Sequence, residues 1–450
     1  MSSAVLHRDT HFVPRKAVGG KGCYIFLEDG TKFLDSTGGA AVSCLGHGNE
    51  QVTQAIKEQI DQISYCHSAF FGTQATEDLA TFLSASTGGK MSKLFVVSSG
   101  SEAVEAALKL ARQYFLELAT PQPERTRFIS RLSSYHGTTL GALGAGGHAQ
   151  RRQPFEPLLA QNTSHVSPCY PYRGKKAQES DAEYVARLAR ELDAEFQRVG
   201  PEKVCAFIAE PVVGAALGCV PAVPGYFPAM KAVCKKYGAL LILDEIMCGM
   251  GRCGTLHAWE QEDIVPDIQT IAKGLGGGYV PVSGILINDS IVQTMDKGTG
   301  QFRHGQTYQG HPVSCAAALA VQRTIKEQSL LDNVREMGRY LEYRLRQRFE
   351  DHPHVGDIRG KGLFWGLEFV QDRTTKEPFD PKHRLAFHIQ ETGLKKEHAV
   401  SFYGCSGTVD GIRGDHVVLA PPYIVTKAEI DILVDTLDKV LTIVLAELQQ

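Results

Sequence analysis

An α/β fold with a mostly parallel sheet, joined by a smaller α+β domain, is what this sequence predicts, and two textures along the chain carry the prediction. From about residue 90 to 290, short apolar runs alternate with amphipathic stretches: "KLFVVSSG", "RFIS", "VCAFIAEP", "ALLILDEI", "IQTIAKG" and "SGILIN". Runs rich in Val, Ile and Leu that end on a polar residue or glycine fit strands covered on both faces. Between them, "SEAVEAALKLARQYF" sets Val104, Ala107, Leu108 and Ala111 on one helical stripe, and "YFPAMKAVCKKYG" closes on a glycine suited to a helix C-terminus.

The texture changes after about residue 325. A long amphipathic helix ("LLDNVREMGRYLEYRLRQRFE") precedes strand-like pieces ("GLFWGLEFV", "HVVLAPPYIV") and a closing helix. That last helix opens on a Thr426-x-x-Glu429 capping box and carries Ile430, Leu433, Leu437, Leu441 and Val444 on one side. The 450 residues exceed the roughly 250–300 at which a single core stops growing, so two domains are expected. The division reads as a large domain over 66–325 and a small α+β domain over 326–450. Residues 1–65, with a strand pair turning at Asp29-Gly30, are too few to stand alone and pack with the small domain.

Composition narrows the function. A hydrophobic content of 43%, a charged content of 22% and a formal charge of -3 describe a soluble globular chain with no basic excess for a polyanion, so nucleic acid is not an expected partner. The first residues lack the apolar core of a signal peptide, and no run approaches a bilayer span, so the expectation is a cytosolic protein without membrane contact. The 11 cysteines are scattered, without the C-x-x-C spacing of a zinc or redox site, and reduced, mostly buried thiols are expected. His304 and His311 stand seven apart without an acidic ligand set, and no metal site is expected.

Three stretches bear on chemistry. In "VVSSGSEAVEAALKLAR" a strand runs directly into a helix at Ser98 to Ser101; the helix start suits a phosphate, or serves only as an N-cap. In "LILDEI", Asp244 ends an apolar strand, at the edge where open α/β sheets bind ligands. It fits a structural acceptor, a metal ligand, or the anion that keeps a pyridine nitrogen protonated. Lys273, in "TIAKGLGGGYVPVSG", follows 29 residues later, one α/β unit on, so both reach the same sheet edge. Glycines around a lysine leave room for a ligand, which suits a nucleophile that forms a Schiff base better than a surface lysine. A phosphate site, a carboxylate and an amine together meet the needs of pyridoxal phosphate (PLP).

With these stretches, "SSYHGTT", "AEPVVGAALG", "LILDEIMCGMGRCG" and "HGQTYQGHPVSCAAALA" complete an ordered set over nearly the whole chain, which resembles the class III aminotransferases. The resemblance implies the aspartate-aminotransferase fold, fold type I of the PLP enzymes: a large domain with a mostly parallel seven-stranded sheet between helices, plus a smaller α+β domain. It implies that Lys273 bonds the cofactor and shuttles the proton, and that Asp244 partners the ring nitrogen. It also implies that Gly100 and Ser101 hold the phosphate, that Tyr135 stacks on one ring face and that Ile246 packs the other. His136 and Glu210 fall near the cofactor, and Thr307 reaches the phosphate of a neighbouring subunit, so the active unit is a homodimer. From "YHG" alone, Tyr135 and His136 read equally as packing residues.

The substrate reading rests on departures from the family pattern. Relatives that use glutamate and 2-oxoglutarate often carry a second glutamate five positions after the Glu-Pro glutamate, where this chain has Ala215. The pattern is closer to the ω-amino acid and amine:pyruvate enzymes. Phe71, in "YCHSAFFGT", resembles an aromatic set across the dimer interface against substrate, while Ala40 and Ala41 replace a bulky aromatic and enlarge the pocket, unless the loop is rearranged. Arg413, in "GIRGDHVVLAPPYIVT", is placed as the mobile arginine that pairs with a substrate carboxylate. The expected activity is transfer of an amino group from a primary amine or ω-amino acid to a keto acid, with pyruvate favoured. An aminomutase or decarboxylase of the same family shares the cofactor set. A nicotinamide dehydrogenase fits poorly, because no N-terminal βαβ unit opens on G-x-G-x-x-G.

Overall fold

The structure is a computed structural model that describes residues 3–448. Its central sheet has seven strands: β1 (Met91–Val97), β2 (Arg127–Arg131), β3 (Thr163–Val166), β4 (Val204–Ala209), β5 (Leu240–Asp244), β6 (Ile268–Ile271) and β7 (Ser283–Asn288). Their spatial order is β1-β7-β6-β5-β4-β2-β3. Only β7 runs against its neighbours, antiparallel to β6 and to β1. Six of these strands are the apolar runs of the sequence. The seventh, β3, is the polar "TSHV", which pairs on one side only and therefore needs no continuous apolar run.

Burial on both faces explains the runs. Every residue of β4 and β5 is buried. Within β4, Ala206 and Ile208 join the core under the Gly100–Glu117 helix, while Phe207 and Ala209 join the core under the Asp181–Val199 and Tyr226–Lys236 helices. The stripe Val104, Ala107, Leu108 and Ala111 is buried against the sheet. Such a strand is anchored from above and below, which fixes where its carboxyl end lies.

A second core lies under the antiparallel sheet β8 (Val355–Lys361), β9 (Phe364–Phe369), β10 (Tyr403–Ser406) and β11 (Asp415–Leu419), ordered β8-β9-β11-β10. The helices Leu330–Phe349 and Lys427–Leu448 cover it, and the stripe Ile430, Leu433, Leu437, Leu441 and Val444 is buried in it. The capping box holds: Thr426 N donates to Glu429 at 2.9 Å. The N-terminal residues Cys23, Leu34, Cys44, Leu45 and Val52 belong to this same core, and Leu34 N donates to Ala399 O at 2.9 Å.

A buried polar knot helps tie the two parts. Glu368 of β9 has no exposed surface, yet it accepts from Arg173 at 2.6 Å, Arg359 at 2.8 Å and Thr408 at 2.9 Å, as well as from the Tyr170 hydroxyl. Arg359 of β8 also donates to Gly218 O at 2.9 Å, and His416 of β11 donates through Nε2 to Ala215 O at 3.0 Å. Both carbonyls belong to the loop between the short strands Val212–Val213 and Val220–Pro221. Surrounded by two guanidinium groups, Glu368 is held below the usual carboxylate range despite its burial.

Candidate active site

Strand order decides what meets at the carboxyl edge of the sheet. There β1 runs into the helix Gly100–Glu117, β4 ends before Glu210, β5 ends on Asp244 and β6 ends two residues before Lys273. A cavity of about 280 Å³ lies among these ends. Its wall contains Lys273, Asp244, Glu210, Tyr135 and His136, together with Gly100, Ser101, Ile246 and Ala215.

Lys273 is half-buried and adopts φ +46°, left-handed for a residue with a Cβ. Such a conformation costs on the order of 1–3 kcal/mol and persists only where the surroundings impose it. Burial holds its ammonium below the ordinary lysine range, while the negative charges of Asp244 and Glu210 pull it part of the way back. Among the described residues its Nζ has no hydrogen-bond or ion-pair partner, the state of an amine kept for a ligand.

Asp244 is 3% exposed and fully engaged. One oxygen faces His136 Nδ1 at 2.7 Å; the other accepts from Ile246 N and the Thr270 hydroxyl, both at 3.1 Å. The carboxylate thus fixes the tautomer of His136 with the proton on Nδ1, leaving Nε2 without a partner among the described residues. Glu210 takes Tyr135 N at 3.1 Å on one oxygen and Gly214 N at 3.0 Å on the other, so one side chain holds two walls of the cavity. Burial pushes the Glu210 carboxyl above its ordinary range, against the pull of His136.

The fourth wall is a helix start. Ser99 caps Glu102 N, and Glu102 returns to Ser98 N and Ser99 N at 2.8 and 3.0 Å. These bonds leave the N–H groups of Gly100 and Ser101 free at the positive end of an 18-residue helix. A Cβ on Gly100 would stand 3.0 Å from two Ile246 side-chain atoms, and one on Gly137, at φ +135°, would meet Ser101 Oγ at 2.6 Å. The backbone therefore approaches here because side chains are missing, which is the shape of a phosphate cradle. A free helix N-terminus, a fixed carboxylate and an unpartnered lysine are the donor set that PLP needs, and the residues fit that cofactor.

Four sequence candidates are not brought to this wall. Arg413 was expected at the substrate carboxylate, but its Nε is fixed to Asp410 at 2.7 Å, with Glu377 at 3.8 Å, out on an exposed loop. Ala41 was expected to enlarge the pocket; positive φ at Gly38, Gly39 and Ala41 instead turns it into a core with Val212, Met247 and Phe364, and Val42 faces the cavity. Phe71 is 66% exposed, and Thr307 is exposed in a turn whose carbonyl accepts from the Tyr65 hydroxyl at 2.9 Å. Neither lines the cavity of its own chain.

The wall also holds residues the motifs did not single out. Met247, Val280, Pro281 and Val282 supply its apolar side. Met247 stands three residues beyond Asp244, in the turn that follows the strand, and the Val-Pro-Val run lies in the same stretch as Lys273, so the residues flanking each candidate carried the available signal.

Fold and site together define a fold-type-I PLP enzyme, and comparison with known proteins refines this. The sequence model of the family "Aminotransferase class-III" matches residues 5–441. A Gibberella zeae aminotransferase is 50% identical over 433 residues, covering 96% of this chain and 84% of that protein. Two solved structures superpose closely. The (S)-enantioselective ω-transaminase of Thermomicrobium roseum has a TM-score of 0.90 at 35% identity, covering 97% and 94% of the two chains. The ω-transaminase of Pseudomonas jessenii in complex with PMP gives 0.90 at 30%, covering 98% and 96%. The chain belongs to the class III aminotransferase family and is a PLP-dependent transaminase.

Proposed function

We propose that this transaminase moves an amino group from a primary amine or ω-amino acid to a keto acid, with pyruvate as the favoured acceptor. The observation that supports this most is Ala215 on the cavity wall, where no carboxylate is available to gate a second carboxylate-binding arginine. Met247, packed with Ala215, and Val282 also line the cavity, which suits a small or apolar substituent.

In this reading Gly100 and Ser101 would hold the cofactor phosphate, Tyr135 and Ile246 would bound the ring, and Asp244 would partner the ring nitrogen. Bound PLP supplies the electron sink for breaking the Cα–H bond of the substrate. The chain supplies the rest. Lys273 carries the proton, and its burial favours the neutral amine that can accept one. His136 holds Asp244 in place through the 2.7 Å bond, and Glu210 keeps the Tyr135 wall at its distance. The two half-reactions alternate in a ping-pong cycle.

A homodimer in the cytosol completes the proposal. It is supported by Phe70 and Phe71, 76% and 66% exposed, and by Tyr308 at 58% beside Thr307, all unsuited to solvent on a single chain. Among the described residues no helix is long and apolar enough to cross a membrane.

The test is the visible spectrum of the PLP-loaded protein through an added amine and then pyruvate or 2-oxoglutarate. Bleaching by an amine and recovery with pyruvate is the expected result, and Lys273→Ala abolishes the cycle. Recovery only with 2-oxoglutarate refutes the acceptor; a spectrum that cycles with no pair refutes amino transfer in favour of a mutase or decarboxylase.

A further inference from the structure

The left-handed backbone of Lys273 needs something to impose it, and the turn that it opens is short. Lys273–Leu275 is a single 3-10 turn, closed by bonds from Gly276 N and Gly277 N to Lys273 O at 3.2 and 2.9 Å. The next two carbonyls are held from outside. Gly274 O and Leu275 O both accept from Gln322 Nε2 at 2.9 Å, and the Cys44 thiol lies 3.5 Å from Gly274 O.

Gln322 is an unexpected residue where it stands. It is 1% exposed on the helix Pro312–Glu327, on a face with Ala318, Leu319 and Ile325, all buried. An amide among such neighbours is costly unless its polar atoms are engaged. Its two N–H bonds both go to the turn, while Oε1 has no partner among the described residues. Reversing the amide would set its oxygen against two carbonyl oxygens, so the turn fixes which way it points. The helix is a firm anchor, because Leu319 shares a core with Ile271 and Leu275, on either side of Lys273. Gln322 does not line the cofactor cavity, so its effect on the chemistry passes through the backbone.

We propose that Gln322 is a positioning residue for Lys273: by holding the two carbonyls that follow the lysine, it keeps the left-handed backbone and with it the direction of the amine. The proposal rests on the reading of Lys273 as the residue that bonds PLP and carries the proton, and deepens it. Without the clamp the turn relaxes toward an ordinary φ, which moves the root of the lysine side chain while the wall that meets substrate stays in place. A misplacement of about 1 Å at a reacting group costs about 100-fold in rate.

The experiment uses the PLP-loaded protein, its Gln322→Met and Gln322→Glu variants, and Ile325→Ala, which destabilises the same helix without touching the turn. Two readouts are taken: the pH at which the visible band titrates, and the rate at which 4-aminobutyrate bleaches that band, resolved into a maximal rate and a half-saturating concentration. In Gln322→Met the maximal rate falls by about 10- to 100-fold with the half-saturating concentration nearly unchanged. The titration midpoint rises by at least about half a pH unit, because a relaxed turn lets the lysine nitrogen escape the burial that depresses it. In Gln322→Glu the buried carboxyl stays protonated and donates one bond in place of two, so both readouts fall between those of wild type and Gln322→Met. If Gln322→Met does not fold, Gln322→Glu carries the test. A wild-type midpoint or maximal rate in the variant tested, a loss confined to the half-saturating concentration, or the same changes in Ile325→Ala at equal loss of urea stability, each overturns the proposal. If the wild-type band titrates but 4-aminobutyrate never bleaches it, the ω-amino acid reading fails and the midpoint alone decides the role of Gln322.

Discussion

Glu210→Gln is the sharpest probe of how the cavity is held open. The carboxylate accepts from Tyr135 N at 3.1 Å and from Gly214 N at 3.0 Å, and the residue is 5% exposed, so water cannot replace either bond. A glutamine keeps one carbonyl oxygen and turns an NH2 group toward the other backbone N–H. One charge-assisted bond is lost, worth about 1.5–3 kcal/mol, and a buried donor is left unpaired at about 1–3 kcal/mol. Partial relaxation of the wall brings the expected destabilisation to about 2–4 kcal/mol. If 1.4 kcal/mol of that falls on the Tyr135 wall, the PLP dissociation constant rises about tenfold. Urea unfolding of the apoprotein measures the first quantity, and a fluorescence titration with PLP measures the second. Burial also raises the Glu210 carboxyl. Were it protonated at rest, the neutral amide would mimic it well, so a Glu210→Gln protein with wild-type stability and PLP affinity refutes the two-acceptor clamp.

The other predictions concern the frame. Glu368→Gln leaves the half-buried Arg173 with a neutral partner and the buried Arg359 with Asp357 as its one remaining carboxylate; loss of about 3–5 kcal/mol is expected in urea unfolding, and a change below 1 kcal/mol would remove the knot from the account of stability. Two neutral histidines predict acid lability: burial pushes His416 down to about 3 and His257 to about 4. Below about pH 6.5 the unfolded chain takes up protons that these rings refuse, so stability falls as pH drops from 6.5 toward 4, by about 1.4 kcal/mol per pH unit for each ring. His257→Asn reduces that slope by one ring's share, read from urea midpoints at pH 7, 6 and 5, and an unchanged slope would refute the assignment.

The sequence showed what is covered on both faces and what ends a strand. Continuous apolar runs revealed six strands of the central sheet because both their faces need side chains to bury, and Asp244 and Lys273 stood out as polar residues where such runs stop. The edge strand β3 stayed hidden because Thr163, Ser164 and His165 carry no such demand. "HVVLAPPYIV" is strand only to Leu419, since Pro421 and Pro422 have no N–H for a ladder. At the site, the failures share one cause. Arg413 is held by Asp410, three residues earlier, only because the turn between them folds back, and whether Ala41 or Val42 faces the cavity depends on three positive φ angles; residue types alone give neither backbone path.

The knot at Glu368 also limits how the enzyme can move. Swinging the C-terminal part outward would drag Arg359 off Gly218 O and His416 off Ala215 O, and would separate opposite charges at a buried site. A hinge there is closed to easy traffic. Substrate entry and product exit then fall to rotations of long side chains and to short loops, roughly nanoseconds to microseconds, rather than to the microsecond-to-millisecond opening of hinged domains.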